Sequence, residues 1–329
     1  MYNVAIVGAT GNVGRKILSI LEERNFPVKN LYLFASKKSA GKKMNFKGNE
    51  YIVEETCEEN IKSKKLDFAL FSAGGDTSLK FAPIFAENGA VVIDNSSAWR
   101  MDPKVPLVVP EVNPEDIKWN NGIIANPNCS TIQAMPVLKA IHDKYGLKRV
   151  IYSTYQAVSG AGMQAIKDLE DGQKGIAPKK FPKPIAGNVL PHIDVFLDNG
   201  YTKEEMKMIN ETRKILHLDD LKVTATTVRV PVLNSHSESI NVELLKPFEL
   251  SDIFKTLEEA KGVTICDDVE NLKYPTPLEA SDKDDVFVGR IRRDFSIDNG
   301  LNLWVVADNI RKGAALNAVQ IAELMINNK

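Results

Sequence analysis

The order of apolar and polar positions divides the chain into two halves that read differently. In the first, "NVAIVG", "LYLFA", "LDFALFSAGG" and "AVVIDNSS" are short, nearly continuous apolar runs. Between them lie helix-like stretches, the amphipathic "RKILSILEER" and "TSLKFAPIFAENG". Apolar strands separated by helices of this length predict βαβ units and a parallel sheet covered on both faces. After "GIIANPNCS" a helix over "STIQAMPVLKAIHDKYG" leads to longer strand signals: "RVIYSTYQAVSG", "LKVTATTVRVPV", "SESINVELLK", "DVFVGRIRRDFS" and "GLNLWVVADN". The last two flank the turn Asp298-Asn299-Gly300, which predicts an antiparallel arrangement for this half. Helices over "TKEEMKMINETRKIL" and "LSDIFKTLEEAKG" pack on it, and "GAALNAVQIAELMIN" predicts a terminal amphipathic helix. Residues 172–184, "GQKGIAPKKFPKP", read as an exposed loop. The expected fold is α/β, a Rossmann-type doubly wound parallel sheet followed by an α+β domain with a mainly antiparallel sheet.

Length and composition narrow the picture without changing it. A chain of 329 residues exceeds one ordinary core, so two domains are expected. A net charge of −1 gives no sign of a nucleic-acid or membrane partner. No run approaches the roughly 18 apolar residues of a membrane span, and "MYNVAIVGATG" lacks the basic region and cleavage site of a signal peptide. Cys57, Cys129 and Cys266 are scattered and odd in number, which suits a reducing compartment. The four histidines are far apart and no CxxC spacing occurs, so no metal is expected. A soluble cytoplasmic protein is the expectation.

The first candidate for chemistry is the strand–turn–helix at the N-terminus, with Gly8, Thr10, Gly11, Asn12, Val13 and Gly14 in the turn. Glycines there let the backbone approach a pyrophosphate, and the helix start supplies N–H donors. The spacing is GxxGxxG where the commonest fingerprint has GxGxxG, and a ligand-free capping turn is the plainer alternative. At the end of "LYLFA", where NAD-binding chains carry an acid for the ribose 2′-hydroxyl, this chain has Ser36-Lys37-Lys38-Ser39. Hydroxyls and lysines favour the 2′-phosphate of NADP, against a solvated lysine turn as the alternative.

The second candidate is Cys129. Structural cysteines sit in apolar segments. Cys129 instead follows Asn126-Pro127-Asn128 at the mouth of a helix, where N–H groups and the helix dipole stabilise a thiolate. A thiolate near a nicotinamide suggests aldehyde oxidation through a thiohemiacetal and an acyl-enzyme. His236, in "VRVPVLNSHSES", is the most site-like histidine, with a solvated loop histidine as the alternative. Arg229, inside a strand, needs an anion, either a substrate carboxylate or an internal acid. Thr202-x-x-Glu205 is a capping box, and Glu204 and Lys207 share a helix face as a surface ion pair on the plain reading.

"GATGNVG", "NPNCSTIQ", "TYQAVSGAG", "EEMKM", "VRVPVLNSHSES" and "KGAALNAVQ", in this order, closely resemble the aspartate-semialdehyde dehydrogenase family of the bacterial type, over essentially the whole chain. The resemblance implies Cys129 as the nucleophile that forms an aspartyl thioester, His236 as acid/base and Gln156 as the residue that positions the intermediate. It implies Arg229 on the substrate α-carboxylate, Glu204 on its amino group, and Arg100 and Lys207 on phosphate, with Asn128 nearby. It places Thr10 to Val13, Lys38, Ser39, Ser159, Gly160 and Asn309 at NADP. It also implies residues 1–127 as the NADP-binding domain and 128–308 as the catalytic and dimerisation domain, with a C-terminal helix, 309–329, returning to the first. The implied reaction takes L-4-aspartyl phosphate and NADPH to L-aspartate 4-semialdehyde and inorganic phosphate, in lysine, threonine, methionine and diaminopimelate biosynthesis. The implied assembly is a homodimer, or a homotetramer. The segment after "SGAGMQAI" is shorter and more lysine-rich than in many relatives, which bears on that assembly. N-acetyl-gamma-glutamyl-phosphate reductase, which has no use for an acid at Glu204, and a non-catalytic dinucleotide-binding paralogue are the alternatives.

Overall fold

The computed structural model describes residues 1–327. The chain forms two compact units. One comprises Met1–Asn128 with the chain from Ala314 onward, and the other Cys129–Gly313.

The first unit opens with β1 (Tyr2–Val7), α1 (Asn12–Glu23) and β2 (Val28–Ala35), followed by β3 (Lys43–Phe46), β4 (Asn49–Glu55), α2 (Glu58–Lys62) and β5 (Phe68–Phe71). α3 (Gly75–Glu87), β6 (Val91–Asp94) and β7 (Ile123–Ala125) complete the sheet, ordered β3-β4-β2-β1-β5-β6-β7. All its pairings are parallel except β3 with β4. Strands buried on both faces explain the continuous apolar runs. Val4, Ile6, Leu33 and Leu70 join a core with Ile17 and Leu21 of α1 and with Leu316, Val319 and Ile321 of the C-terminal segment. Phe34 and Phe71 meet Phe85 of α3 edge-on, at ring separations of 5.6 and 5.1 Å. The β3–β4 hairpin is absent from the sequence reading. It turns at Lys47 and Gly48, both at positive φ, and lysine is an uncommon residue there.

In the second unit α4 (Cys129–Tyr145) leads to β8 (Leu147–Gln156), α5 (Met163–Gly172), α6 (Lys203–Leu216) and β9 (Lys222–Arg229). Then come β10 (His236–Leu244), α7 (Leu250–Glu258), β11 (Val263–Ile265), β12 (Val286–Asp294) and β13 (Gly300–Ala307). The sheet order is β11-β12-β13-β10-β8-β9. Its interior pairs are antiparallel, whereas both edge pairs, β8 with β9 and β11 with β12, are parallel. The parallel edges follow from connectivity: a long crossover carrying α5 and α6 separates β8 from β9. The capping box of α6 is formed, with the Glu205 amide donating to the Thr202 hydroxyl and the Thr202 amide to the Glu205 carboxylate. The residue 172–184 loop is largely exposed, but the Asp168 carboxylate accepts the amides of Lys179, Lys180 and Phe181 and ties it to α5. The terminal helix starts as a π-helical stretch, Arg311–Leu316, before regular α-helix over Asn317–Asn327.

Candidate active site

Register builds the centre of the second unit. β10 pairs Ser237 with Tyr155 of β8, which brings His236 level with Gln156, and Gln156 in turn pairs with Arg229 of β9. Side chains two apart on a strand share a face. One row across three strands is therefore His236, Gln156 and Arg229, and the next is Glu238, Thr154 and Thr227. All six are buried. The first residue of α4 supplies Cys129, whose Sγ lies 3.3 Å from His236 Nε2.

His236 is the first residue of a strand and fully buried, not a loop histidine. Its Nδ1 accepts the Ala157 amide at 3.0 Å. An amide can only donate, so the neutral ring carries its proton on Nε2, toward Cys129. Burial, with the Arg229 charge adding to it and Glu204 opposing, pushes the imidazole down to about 3. The ring is neutral at physiological pH.

Arg229 is 5% exposed, and its Nη1 donates to the Ala157 carbonyl at 2.6 Å. Among the described residues its one direct side-chain bond shown is to that carbonyl, and the acid acting on it electrostatically is Glu204. Burial lowers its pKa, and the neighbouring Glu204 and Cys129 work the other way. A buried guanidinium held by a carbonyl and without a direct ion pair among the described residues is suited to an anionic ligand.

α6 contributes Glu204 and Lys207 from its first turns. Glu204, 4% exposed, accepts Gln156 Nε2 at 3.2 Å and Lys207 Nζ at 3.0 Å. Gln156 Oε1 accepts the Thr154 hydroxyl at 3.0 Å, which orients the amide. Lys207 Nζ also lies 2.8 Å from Asp194 Oδ2. Burial alone would lower the Lys207 pKa, but Glu204 and Asp194 more than offset that and hold it above its ordinary value.

Two glycines shape the approach to this centre. A Cβ on Gly160 would sit 3.3 Å from His236 Cε1 and 3.5 Å from Arg229 Nη1. One on Gly313 would sit 2.9 Å from Cys129 Cβ. Ser159 and Asn309 are buried and hydrogen-bonded to each other, and the Ser235 amide donates to Asn309 Oδ1. Sequence reasoning missed Asp194, Gly313 and Glu238. Gly313 carries a sequence signal, as the glycine of "KGAALN", and Glu238 a weaker one, as the polar residue two places after His236.

In the first unit the C-terminal edge of the parallel sheet is a topological switch point, because the chain leaves β1 toward β2 on one side and returns as β5 on the other. Gly8 has φ +86°, and a Cβ there would lie 2.3 Å from the Ser72 carbonyl oxygen after β5. A Cβ on Gly14 would lie 2.2 Å from the Gly8 carbonyl oxygen. Both must be glycine for the turn and the helix to close on the strand. Gly11 precedes α1 as its cap and has no side chain to offer, and the Asn12 and Val13 amides have no acceptor shown among the described residues. Thr10 reaches the half-buried Ser39 at 3.5 Å, which joins the glycine turn to the segment after β2 whose Ser36, Lys37 and Lys38 are exposed. These residues fit a dinucleotide pyrophosphate at the helix start and a ribose substituent at Ser36, Lys38 and Ser39.

The Asn-Pro-Asn break also belongs to this unit. Asn126 donates to Asn95 and to the Ala314 carbonyl and accepts from Asn317. Arg100 donates to the Asn126 carbonyl at 3.0 Å and the Asn95 carbonyl at 2.8 Å. Asn128 is buried. Among the described residues no group of His, Cys, Asp or Glu is arranged to hold a metal, and no helix is long and apolar enough to cross a membrane.

Known proteins resemble this chain along its length. The family "Semialdehyde dehydrogenase, NAD binding domain" matches residues 3–120, and "Semialdehyde dehydrogenase, dimerisation domain" matches residues 138–312. The aspartate-semialdehyde dehydrogenase of Aquifex aeolicus is 59% identical over 99% of this chain and 98% of that protein. The crystal structure of aspartate semialdehyde dehydrogenase II from Vibrio cholerae, complexed with ASA, superimposes with a TM-score of 0.95 at 48% identity, over 99% of this chain and 98% of that one. The Candida albicans aspartate semialdehyde dehydrogenase structure with NADP gives a TM-score of 0.77 at 25% identity, over 99% of this chain and 98% of that one.

Proposed function

The chain belongs to the aspartate-semialdehyde dehydrogenase family, and from that premise we propose that it reduces L-4-aspartyl phosphate to L-aspartate 4-semialdehyde with NADPH, releasing inorganic phosphate. The observation that carries the reading is one constellation at the edge of the core. The half-buried Cys129 faces the fully buried His236 at 3.3 Å, beside a buried guanidinium and a carboxylate four per cent exposed. Those are the groups a substrate with a reactive acyl carbon, a carboxylate and an ammonium requires. An acylated amine would leave Glu204 without a cationic substrate group.

In this reading Arg229 takes the α-carboxylate and Glu204 the ammonium, while Lys207 and Arg100 take the phosphate and Asn128 lies beside the nucleophile. The Cys129 thiolate attacks the acyl carbon. The C–S bond forms as the C–O bond to phosphate breaks, and the proton the overall reaction consumes ends on the phosphate. NADPH, when bound, supplies the hydride that reduces the thioester. Gly8, Thr10, Gly11, Asn12, Val13, Ser36, Lys38 and Ser39 hold the cofactor, with Ser159, Gly160 and Asn309. His236 keeps its proton at Nε2, where it hydrogen-bonds the thiolate before attack and the oxyanion afterwards. Gln156, fixed between Thr154 and Glu204, positions the acyl group. As the C–S bond breaks, the thiolate returns to His236 and the helix start.

The protein acts in the cytoplasm as a homodimer formed through its second unit. Support for the dimer comes from the sheet face opposite the catalytic row. There Tyr155, 41% exposed, meets Trp304 at a ring separation of 5.4 Å with the planes inclined at 53°, and Tyr274 lines the same cavity as Trp304. The direct test is NADPH formation from L-aspartate 4-semialdehyde and NADP, with and without inorganic phosphate, beside N-acetyl-L-glutamate 5-semialdehyde. Phosphate-dependent activity on the free-amine substrate alone is expected. Activity on the acetylated substrate alone would overturn the assignment of Glu204 and the function with it.

A further inference from the structure

Asp194 has no place in the chemistry above, yet it is ion-paired to one of its residues. Its Oδ2 lies 2.8 Å from Lys207 Nζ, opposite Glu204 Oε2 at 3.0 Å, so one ammonium sits between two carboxylates. The two acids are held differently. Glu204 is buried on a helix and also bound by Gln156. Asp194 is a surface residue whose other recorded bond is to the amide of its own neighbour, Val195. Its backbone is left-handed, with φ +69°, which asparagine and aspartate tolerate better than most residues. The segment carrying it begins beside the site, because Leu190 and Arg229 exchange both backbone hydrogen bonds.

Charge decides what this arrangement does. Glu204, Lys207 and Asp194 together carry −1. Lys203 and Arg229 act on these acids from further away, but a phosphate group arriving at Lys207 itself meets a cation already paired with two carboxylates. If Asp194 turns out to solvent, the remaining pair is neutral and Nζ has a free direction for an anionic oxygen. We propose that Asp194 is a resident competitor for Lys207, a carboxylate seated where the phosphate oxygen binds and displaced when phosphate enters, and so a determinant of phosphate affinity. This rests on the reading of Lys207 as a phosphate ligand.

The test is the phosphate dependence of NADPH formation from L-aspartate 4-semialdehyde in Asp194→Asn, Lys207→Ala and the double variant. Asp194→Asn is expected to lower KM for phosphate about two- to fivefold, the range of a partly exposed ion pair, with kcat at saturating phosphate unchanged. In the Lys207→Ala background the same substitution is expected to change nothing. A raised KM in Asp194→Asn would show that Asp194 positions Lys207 and would overturn the proposal, as would an unchanged one. An equal fall without Lys207 would show that the effect does not pass through the ammonium, and also overturns it. A Lys207→Ala enzyme with wild-type phosphate KM would sink the underlying assignment, and the competitor with it, whatever Asp194→Asn does.

Discussion

Glu238 lies two places along its strand from His236, fully buried, and neither carboxyl oxygen has a hydrogen-bond partner among the described residues. Burial, with the Glu204 charge adding to it, holds the carboxyl well above its ordinary 4.5. For an acid raised in the folded state, the full stability is present below the unfolded value and falls as pH climbs toward the folded one. The slope is about 1.4 kcal/mol per pH unit for one proton. Glu238→Gln removes that dependence. It is expected to melt like the parent at acid pH and above it at neutral pH, measured as Tm against pH; parallel curves would mean the carboxyl is ionised. His236 gives a second expectation at this scale. Because the ring is neutral down to about 3 and acts as a donor, kcat is expected to show no acid limb near 6.5 from this group. His236→Gln, which keeps a donor, is expected to retain more activity than His236→Ala, which loses about 10²–10³ in kcat. An acid limb near 6.5 that vanishes in His236→Gln would show an ordinary titrating histidine. The cysteine and histidine were legible from motif resemblance, but their contact was not, since 107 residues separate them. Glu238 was legible only as a pattern: Thr154 with Gln156, Thr227 with Arg229 and His236 with Glu238 place polar pairs two apart in strands, a buried polar stripe.

At the scale of elements, strong apolar periodicity made most strands and helices readable, and the exceptions have local causes. The β3–β4 hairpin turns on Lys47-Gly48, where an asparagine or aspartate before the glycine would have announced it. The parallel edges of the second sheet depend on where long crossovers land, which no periodicity encodes. Asp194 sits in an irregular stretch with no pattern to read. The π-helical stretch Arg311–Leu316 sets Gly313 against Cys129, so a methyl there would press on the first residue of α4. Gly313→Ala is expected to lower kcat about tenfold by displacing the nucleophile. Cofactor affinity should be unchanged in a fluorescence titration with NADPH. Wild-type turnover would show that the helix start can yield without cost.

For the whole molecule, the first unit is assembled from the two ends of the chain. Ala315, Leu316, Ala318, Val319, Ile321 and Ala322 belong to the same core as β1 and α1. Truncation before Ala314 strips these six from it, and the remaining first unit is expected to lose cooperative folding and NADPH binding. Circular dichroism with an NADPH titration checks this, and cofactor binding at full affinity in the truncated chain would refute it. Asn126, beside the nucleophile in sequence, is hydrogen-bonded to Asn317 and to the Ala314 carbonyl. During synthesis on the ribosome β1 to β7 emerge before the residues from Ala314 onward that share their core, and the contiguous second unit emerges in between. Until that later segment arrives, the apolar face it covers stays open to water and to wrong partners.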